Sequence, residues 1–232
     1  MRGPLRHLSL LVALALLTGC AVLFPVDQRS AEEVATAAEE QVARKDYEQA
    51  VKLYSKAIDK QPQNGGYYLR RSELLEALSL FKAASDTYRD GLLKLAADAP
   101  ERQEVIYRLA LISADHLADI DTAENLLEQL PGATVPRLDL TGYLYYHGRL
   151  YEDALKRFNQ ALSMTKNADQ KALILYHAAL VYIALNDEKN AVTSLFHAIN
   201  NATHLGLIRD ISELWDKVNA DQPLPRAGTP ET

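Results

Sequence analysis

The stretch from Gly142 to Ala161 reads GYLYYHGRLYEDALKRFNQA, and it contains a regular pattern of small and aromatic residues. Small residues at Gly142 and Ala154 alternate with aromatic residues, and a break around Gly148 separates two segments with helical spacing of apolar residues. We expect two antiparallel helices that approach each other most closely at the small residues, because larger side chains there would force them apart. The aromatic residues that fill the space around this crossing are Tyr145, Tyr151 and Phe158.

The same pattern recurs along most of the chain. Alignment on Ala154 places an alanine at the equivalent position four more times, at intervals of 34, 39, 31 and 37 residues. The variation in spacing falls in the turns. The third unit is the most divergent, since its Leu111 stands where the first helix of a unit should have a small residue at the helix crossing. The alanines are Ala50, Ala84, Ala123 and Ala191, and the units span about 31–64, 65–98, 104–133, 135–168 and 172–205.

These units resemble the tetratricopeptide repeat, a helix-turn-helix unit of about 34 residues. The resemblance implies an all-α, right-handed superhelical solenoid of about five repeats. Residues 206–220 place an apolar stripe on one helix face, which predicts a capping helix over the open core of the last repeat. Residues 221–232 carry three prolines and no apolar periodicity, so we expect a disordered tail. The stripe consists of Leu207, Ile211, Leu214, Trp215 and Val218.

The first residues are typical of a targeting signal. Two arginines precede the apolar run 8–17, which is shorter than the ~20 residues of a membrane span. The sequence Leu17-Thr18-Gly19-Cys20 resembles a bacterial lipobox, which implies that residues 1–19 are removed and that Cys20 is lipidated. An ordinary export signal with a chance cysteine is the alternative. Cys20 is the only cysteine, so no disulfide framework is expected within the chain.

The residues after Cys20 suggest where the protein is anchored. Residues 20–30 are too short for a domain and read as a tether to the bilayer. Ala21 after the cysteine resembles the outer-membrane sorting signal of enteric bacteria. The sequence therefore predicts a lipid-anchored protein on the periplasmic face of the outer membrane.

Charge and motif content argue against nucleic-acid binding and catalysis. Without Arg2 and Arg6, 23 of the 25 basic side chains remain against 31 acidic ones, so a basic nucleic-acid surface is not expected. The chain contains no phosphate-binding glycine loop, HExxH, CxxC or GxSxG motif, and we predict no enzyme activity, cofactor or metal. Two weaker pairs are His116 with His147 for a metal and Asp115 with Asp139 for acid–base chemistry. No carboxylate spacing supports a metal site at the histidines, and nothing in the sequence indicates a pocket around the two aspartates.

The resemblance also implies a binding surface. In this repeat family the first helices line a concave groove that takes an extended peptide or a helix. Tyrosines are the strongest candidates, because a tyrosine keeps one polar end for a ligand, whereas the aliphatic positions equally suit packing between neighbouring helices. Carried over by position, the candidate groove residues are Arg108, Asp115, His116, Asp139, Tyr143, Tyr146, His147, Tyr176 and Leu180, with Ile112, Ile183 and Ala184 beside them. None of the five first helices contains the asparagine of the chaperone-tail carboxylate clamp.

The sequence thus predicts a non-catalytic, membrane-anchored scaffold that binds envelope proteins. Its layout resembles three kinds of lipoprotein: a subunit of outer-membrane barrel assembly, a pilotin for pilus secretins, and an adaptor for cell-wall hydrolases. No residue motif selects among them. A self-assembling structural lipoprotein and a regulator of peptidoglycan metabolism are the alternatives, and the oligomeric state is open.

Overall fold

A computed structural model describes residues 28–219, so the expectations for the signal, Cys20 and the tail lie outside the described residues. Within that range the chain forms eleven α-helices and no strand, which confirms the all-α fold class. The helices are α1 Ala31–Ala43, α2 Tyr47–Lys60, α3 Gly65–Ala77, α4 Phe81–Lys94, α5 Arg102–Asp115, α6 Ile120–Leu127, α7 Val135–His147, α8 Tyr151–Met164, α9 Ala168–Ala184, α10 Glu188–Ile199 and α11 Leu205–Val218.

The first ten helices form five hairpins, each a first helix packed on the helix that follows it. The backbone repeats with the sequence: every non-glycine residue with positive φ between positions 28 and 219 lies in the turn inside a hairpin. Each of these residues precedes the aligned alanine of its repeat by five positions, so the two series share the same intervals. They are Lys45, Ser79, Ala118, Arg149 and Asn186.

The close crossing predicted from the opening stretch is present in the fourth hairpin. A Cβ atom added to Gly142 would lie 2.6 Å from Cε1 of Phe158, whose side chain is 1% exposed. Ala154 is completely buried on the facing helix. Glycine at position 142 therefore allows the ring of Phe158 to lie directly on the backbone of α7.

The alignment of the third repeat is wrong by one residue. Four residues join α5 to α6, whereas three residues join the two helices in each of the remaining four hairpins. Counted back from the end of the helix, Ala110 rather than Leu111 stands where Gly142 stands in α7. Ala110 is completely buried, so this crossing position is small after all. The same shift moves the carried-over groove positions of α5, and Tyr107 becomes the equivalent of Asp139.

Short polar side chains begin most of the helices. A serine followed three residues later by a glutamate predicts a capping box, and Ser30 and Glu33 form one. Glu33 N donates to Ser30 Oγ (3.1 Å), and Ser30 N donates to Glu33 Oε2 (2.6 Å). The second helices of repeats one, three and five start from an aspartate that caps the helix, whereas Leu80 and Leu150 stand at this position in repeats two and four. These two leucines are about half exposed and make no cap.

We expect Leu80→Asp and Leu150→Asp each to raise the free energy of unfolding by about 1 kcal/mol, because an aspartate would accept a bond from the first turn of the helix. The backbone at both positions already matches that of the capping aspartates. Chemical denaturation measures the gain. Leu93→Asp, at an 83% exposed leucine near the end of α4, is the control and should not stabilise. Equal gains in all three variants would contradict a capping effect.

The core runs through the hairpins rather than around one centre. A large cluster of buried side chains joins repeats two to five and α11, and a smaller cluster joins α1, α2 and α3.

No helix between residues 28 and 219 combines the length and apolar content needed to cross a bilayer. The first helices α3, α5, α7 and α9 line one face of the solenoid, which we call the first-helix face.

Candidate functional site

Helix α11 lies across the first-helix face. It packs on α10, which precedes it, and also on α3 of the second repeat. The sequence predicts a helix that caps the last repeat; α11 packs on that repeat and reaches the second repeat as well, because the chain curves enough to bring α3 within reach of the C-terminal helix. Leu207, Ile211 and Trp215 are each at most 4% exposed and join the main buried cluster.

Polar contacts hold the first half of α11 on α3. The backbone N–H of Leu205 donates to Glu73 Oε1 at 3.1 Å. Arg209 donates from Nη1 to the backbone carbonyl of Glu76 and to Ser79 Oγ, the latter at 2.9 Å. The guanidinium of Arg209 also lies 5.3 Å from the ring centroid of Phe81. This set of contacts, which we call the α3 clamp, fixes α11 to the end of α3 and the turn after it.

The two helices also approach closely at a glycine. A Cβ atom added to Gly206 would lie 3.3 Å from Cβ of Glu76, so a larger residue at position 206 would press against α3. Gly206 is buried in this contact. The close approach is what allows Arg209, one turn later, to reach the carbonyl at the end of α3.

A cavity of about 50 Å³ remains between α11 and the first helices. It is large enough for a few water molecules, and charged and aromatic side chains surround it. The side chains that line it are Glu76, Arg108, Leu111, Ile112, Asp115, His116, Tyr143, Leu173, Tyr176, His177, His204, Leu207 and Asp210. Helix α11 therefore covers the first-helix face without filling it.

Burial disfavours the charged forms of several groups around this cavity. Burial raises the pKa of Glu76 to about 7, although the hydrogen bond donated by Tyr88 (2.7 Å) and the charge of Arg108 oppose the rise. Burial and the nearby arginines, first among them Arg108, hold the pKa of His204 well below its usual range. Burial also raises the pKa of Asp210, despite its bonds from Arg209. The interface thus contains ionisable groups that would be better solvated if α11 were absent.

The cavity lining includes four predicted groove residues, Arg108, Asp115, His116 and Tyr176, together with Tyr143, which belongs to the core. Of these, Asp115 and His116 remain exposed to solvent. Arg108 pairs with Glu104 at 2.7 Å and its side chain is 13% exposed. The ring of His116 stacks on Phe81 at 3.6 Å between centroids. Burial, with Asp210 of α11 as the next contribution, raises the pKa of Tyr176. These residues therefore face the chain's own helix.

Two predicted groove residues belong to the core instead. Asp139 is completely buried, and its Oδ2 accepts a hydrogen bond from Tyr107 Oη at 2.5 Å and lies 2.9 Å from His177 Nδ1. Tyr143 is 2% exposed, and its ring centroid lies 4.4 Å from that of His177. The interpretation of Asp139 and Tyr143 as partner contacts is wrong, because both side chains are buried between α5, α7 and α9.

His177 was missed by the sequence reading, although it is central to this packing. It is 3% exposed and stands in α9 among apolar residues, where a polar side chain requires a partner. A histidine within this apolar stretch is the sequence feature that indicates a buried polar contact at His177. Together Tyr107, Asp139 and His177, which we call the buried triad, join the first helices of repeats three, four and five.

The remaining predicted residues lie outside the cavity lining. Tyr146 is partly buried, His147 is exposed and Leu180 is partly buried. The ring of Tyr146 lies 5.4 Å from that of His147 and 6.3 Å from that of Tyr151. We call Tyr146, His147 and Tyr151 the aromatic patch. It lies at the turn of the fourth hairpin, next to Leu150, which is 52% exposed.

The two histidines considered as a metal pair have different surroundings. His116 stacks on Phe81, whereas His147 meets Tyr143 edge-on at 4.8 Å. In the part of the chain that the structure describes, no three His, Cys, Asp or Glu residues come together in a way that could hold a metal ion.

Comparison with known proteins identifies the fold. No family model and no curated protein matches the sequence. Among solved structures, a chain of the APC/C hetero-tetramer Cut9–Hcn1 matches with a TM-score of 0.60 at 15% identity, over 83% of this chain and 40% of the other. This protein thus spans less than half the length of that chain.

Two further structures match over most of both chains. A thermophilic TPR protein from Thermus thermophilus has a TM-score of 0.55 at 17% identity, over 80% of this chain and 99% of the other. PilW, a widely conserved type IV pilus biogenesis factor, also has a TM-score of 0.55, at 14% identity over 82% and 93%. The chain therefore has the fold of tetratricopeptide-repeat solenoids.

Proposed function

We propose that this protein is a non-catalytic scaffold that binds a partner protein through its first-helix face. One observation carries the proposal: an amphipathic helix, α11, already lies on that face with Leu207, Ile211 and Trp215 buried. A surface that holds one such helix has the shape and apolar character to hold another. Helix-in-groove binding is thus the recognition mode that the geometry supports.

The aromatic patch is an accessible surface that adjoins the predicted groove: Tyr146 and His147 are predicted groove residues, and Tyr151 begins the following helix. Tyrosine and histidine rings present large areas with polar ends, which suits a contact that must also tolerate water. In this proposal the patch makes the first contacts with the partner, next to the face covered by α11.

The proposed place of action is the bacterial envelope. Support comes from the lipobox-like sequence Leu17–Cys20, which would anchor the mature chain through Cys20 at the outer membrane. The similarity to PilW in fold makes pilus biogenesis one candidate machinery, beside barrel assembly and cell-wall synthesis. The partner is accordingly an envelope protein.

Crosslinked capture from membranes tests this function with the full-length protein. We expect one envelope protein to be recovered, and recovery to fall about tenfold with Tyr146→Ala/His147→Ala, since losing an aromatic anchor typically costs about 1–2 kcal/mol of binding. Leu93→Ala, at the most exposed large apolar residue of the described chain, is the control and should leave capture unchanged. Circular dichroism checks that the double variant is folded.

Two outcomes would contradict the proposal. Equal recovery with the double variant and the control would exclude the aromatic patch. Recovery of this protein alone, in every case, would favour the self-assembling alternative. Labelling of cells with a fatty-acid analogue should mark the parent protein and not Cys20→Ser, and equal labelling of both would contradict a lipid anchor at this residue.

A further inference from the structure

We propose that α11 occupies the binding site of the partner and is displaced when the partner inserts an amphipathic helix of the same pattern. This inference rests on the proposed function, because it assumes that the first-helix face binds protein. The partner presents an amphipathic helix, and α11 must leave the first-helix face before that helix can bind. Until then the face is closed by the chain itself.

The attachment of α11 allows it to leave as a unit. Residues 200–204 connect it to α10, and this connection is fixed at its end to the start of α9. Thr203 donates from its backbone N and its hydroxyl to Asp169, at 2.5 and 2.6 Å, and His204 N donates to the same carboxylate at 3.2 Å. With the connection held there, rotation at residues 204–205 would move α11 without disturbing the fifth hairpin.

The docked position of α11 is also costly. Glu76 and His204 are held toward their neutral forms, for the reasons given above. Docking therefore takes place against the preference of both groups for their charged, solvated forms. The cavity adds unfilled space at the same interface. Both costs oppose the apolar contacts and the α3 clamp that hold α11 on the face.

The contacts of α11 define the helix that would replace it. Three apolar residues spaced four apart enter the face, as Leu207, Ile211 and Trp215 do. A small residue precedes the first of them, because Gly206 approaches α3 closely. An arginine three positions after the small residue, as at Arg209, would remake the α3 clamp. The partner is therefore an amphipathic helix with the pattern small–apolar–x–arginine followed by apolar residues at four-residue spacing.

A peptide titration tests the exchange without knowledge of the partner. The probe is a synthetic peptide of residues 204–219 in which phenylalanine replaces tryptophan, added to the full chain carrying Cys20→Ser. Trp215 is the only tryptophan in the protein and is 4% exposed, so its emission reports the position of α11. Displacement by the peptide should shift this emission to longer wavelength.

Arg209→Ala weakens the α3 clamp and leaves the apolar side of the face unchanged. It should lower the apparent Kd of the peptide at least about tenfold, because the apparent Kd is the intrinsic value divided by the open fraction. Asp216→Ala is the matched control, since Asp216 is exposed on the same helix, and should bind as the parent does.

A disulfide provides a second test that does not depend on weakening the protein. Cysteines at 76 and 206 would place their Cβ atoms about 3.3 Å apart, close to the range of natural disulfides. Glu76→Cys/Gly206→Cys should bind no peptide when oxidised and should bind it again after reduction. The cooperative melting of both forms shows that each is folded.

Three results would overturn the inference. One is absence of peptide binding in every variant with Trp215 emission unchanged, and another is equal binding to the oxidised and reduced forms. The third is a concentration-dependent dimer with Trp215 still buried, which would make a second copy of this chain the occupant. A failed titration alongside successful membrane capture would remove this inference and leave the proposed function standing.

Discussion

Replacing Asp139 with alanine should lower the free energy of unfolding by about 2–4 kcal/mol, because leaving a buried polar group without its partner costs roughly 1–3 kcal/mol and Asp139 contacts two such groups. Asp139 is completely buried and accepts from Tyr107 while contacting His177, so its loss leaves two polar groups without their acceptor. The three helices joined by the buried triad, α5, α7 and α9, also carry most of the first-helix face. Urea denaturation measures the effect.

Two control variants separate this effect from a general loss of negative charge. Asp139→Asn keeps an oxygen that can accept from Tyr107 and should cost less than the alanine variant. Asp153→Ala removes an exposed carboxylate whose ion pair with Lys156 (3.0 Å) lies at the surface of α8, and should cost under ~1 kcal/mol. A loss below about 1 kcal/mol for Asp139→Ala itself would show that the buried triad does not hold the helices together.

Phe158→Ala should cost a further large amount, about 3–5 kcal/mol, because it removes a fully buried ring and leaves a cavity. The ring lies on Gly142 in the fourth hairpin and 5.9 Å from His177. Its loss therefore affects both the crossing of α7 with α8 and the surroundings of the buried triad. Thermal and urea unfolding should both report it.

The effect of Gly142→Ala should change sign with the residue at 158. In the natural chain the added methyl group would lie 2.6 Å from a ring that has no room to move, so the variant should be destabilised by overpacking. In the Phe158→Ala background the clash is gone, and alanine should gain up to about 1 kcal/mol over glycine within the helix. Additive effects of the two substitutions would contradict direct packing of Phe158 on Gly142.

The repeats could be read from the sequence because their cause is local. Small residues at crossing positions and aromatic residues around them are required by the packing of two adjacent helices, and this packing is the same in each unit. Gly142, Ala154 and the capping box at Ser30 therefore lie where the sequence placed them. The one error of register, in α5, came from a single extra residue in a turn, which leaves no signature in the apolar pattern.

The binding surface was harder to predict because it depends on contacts across the whole chain. Positions that face the groove in an average repeat become core when three first helices share a buried carboxylate, as happens at Asp139 and Tyr143. Nothing in the apolar stripe of α11 shows that it reaches α3, 132 residues earlier in the sequence at the contact of Leu205 with Glu73. The contacts of Gly206 and Arg209 with α3 can be recognised only once the curvature of the solenoid is known.

Membrane capture with the disulfide-locked chain tests the central claim most directly. The full-length lipidated protein with Glu76→Cys/Gly206→Cys is crosslinked in membranes with the disulfide intact or reduced. The partner should be recovered from the reduced form and lost from the oxidised form, because α11 and the partner helix compete for the first-helix face. Equal recovery from both forms would show that the partner binds elsewhere, and that α11 is a permanent part of the fold.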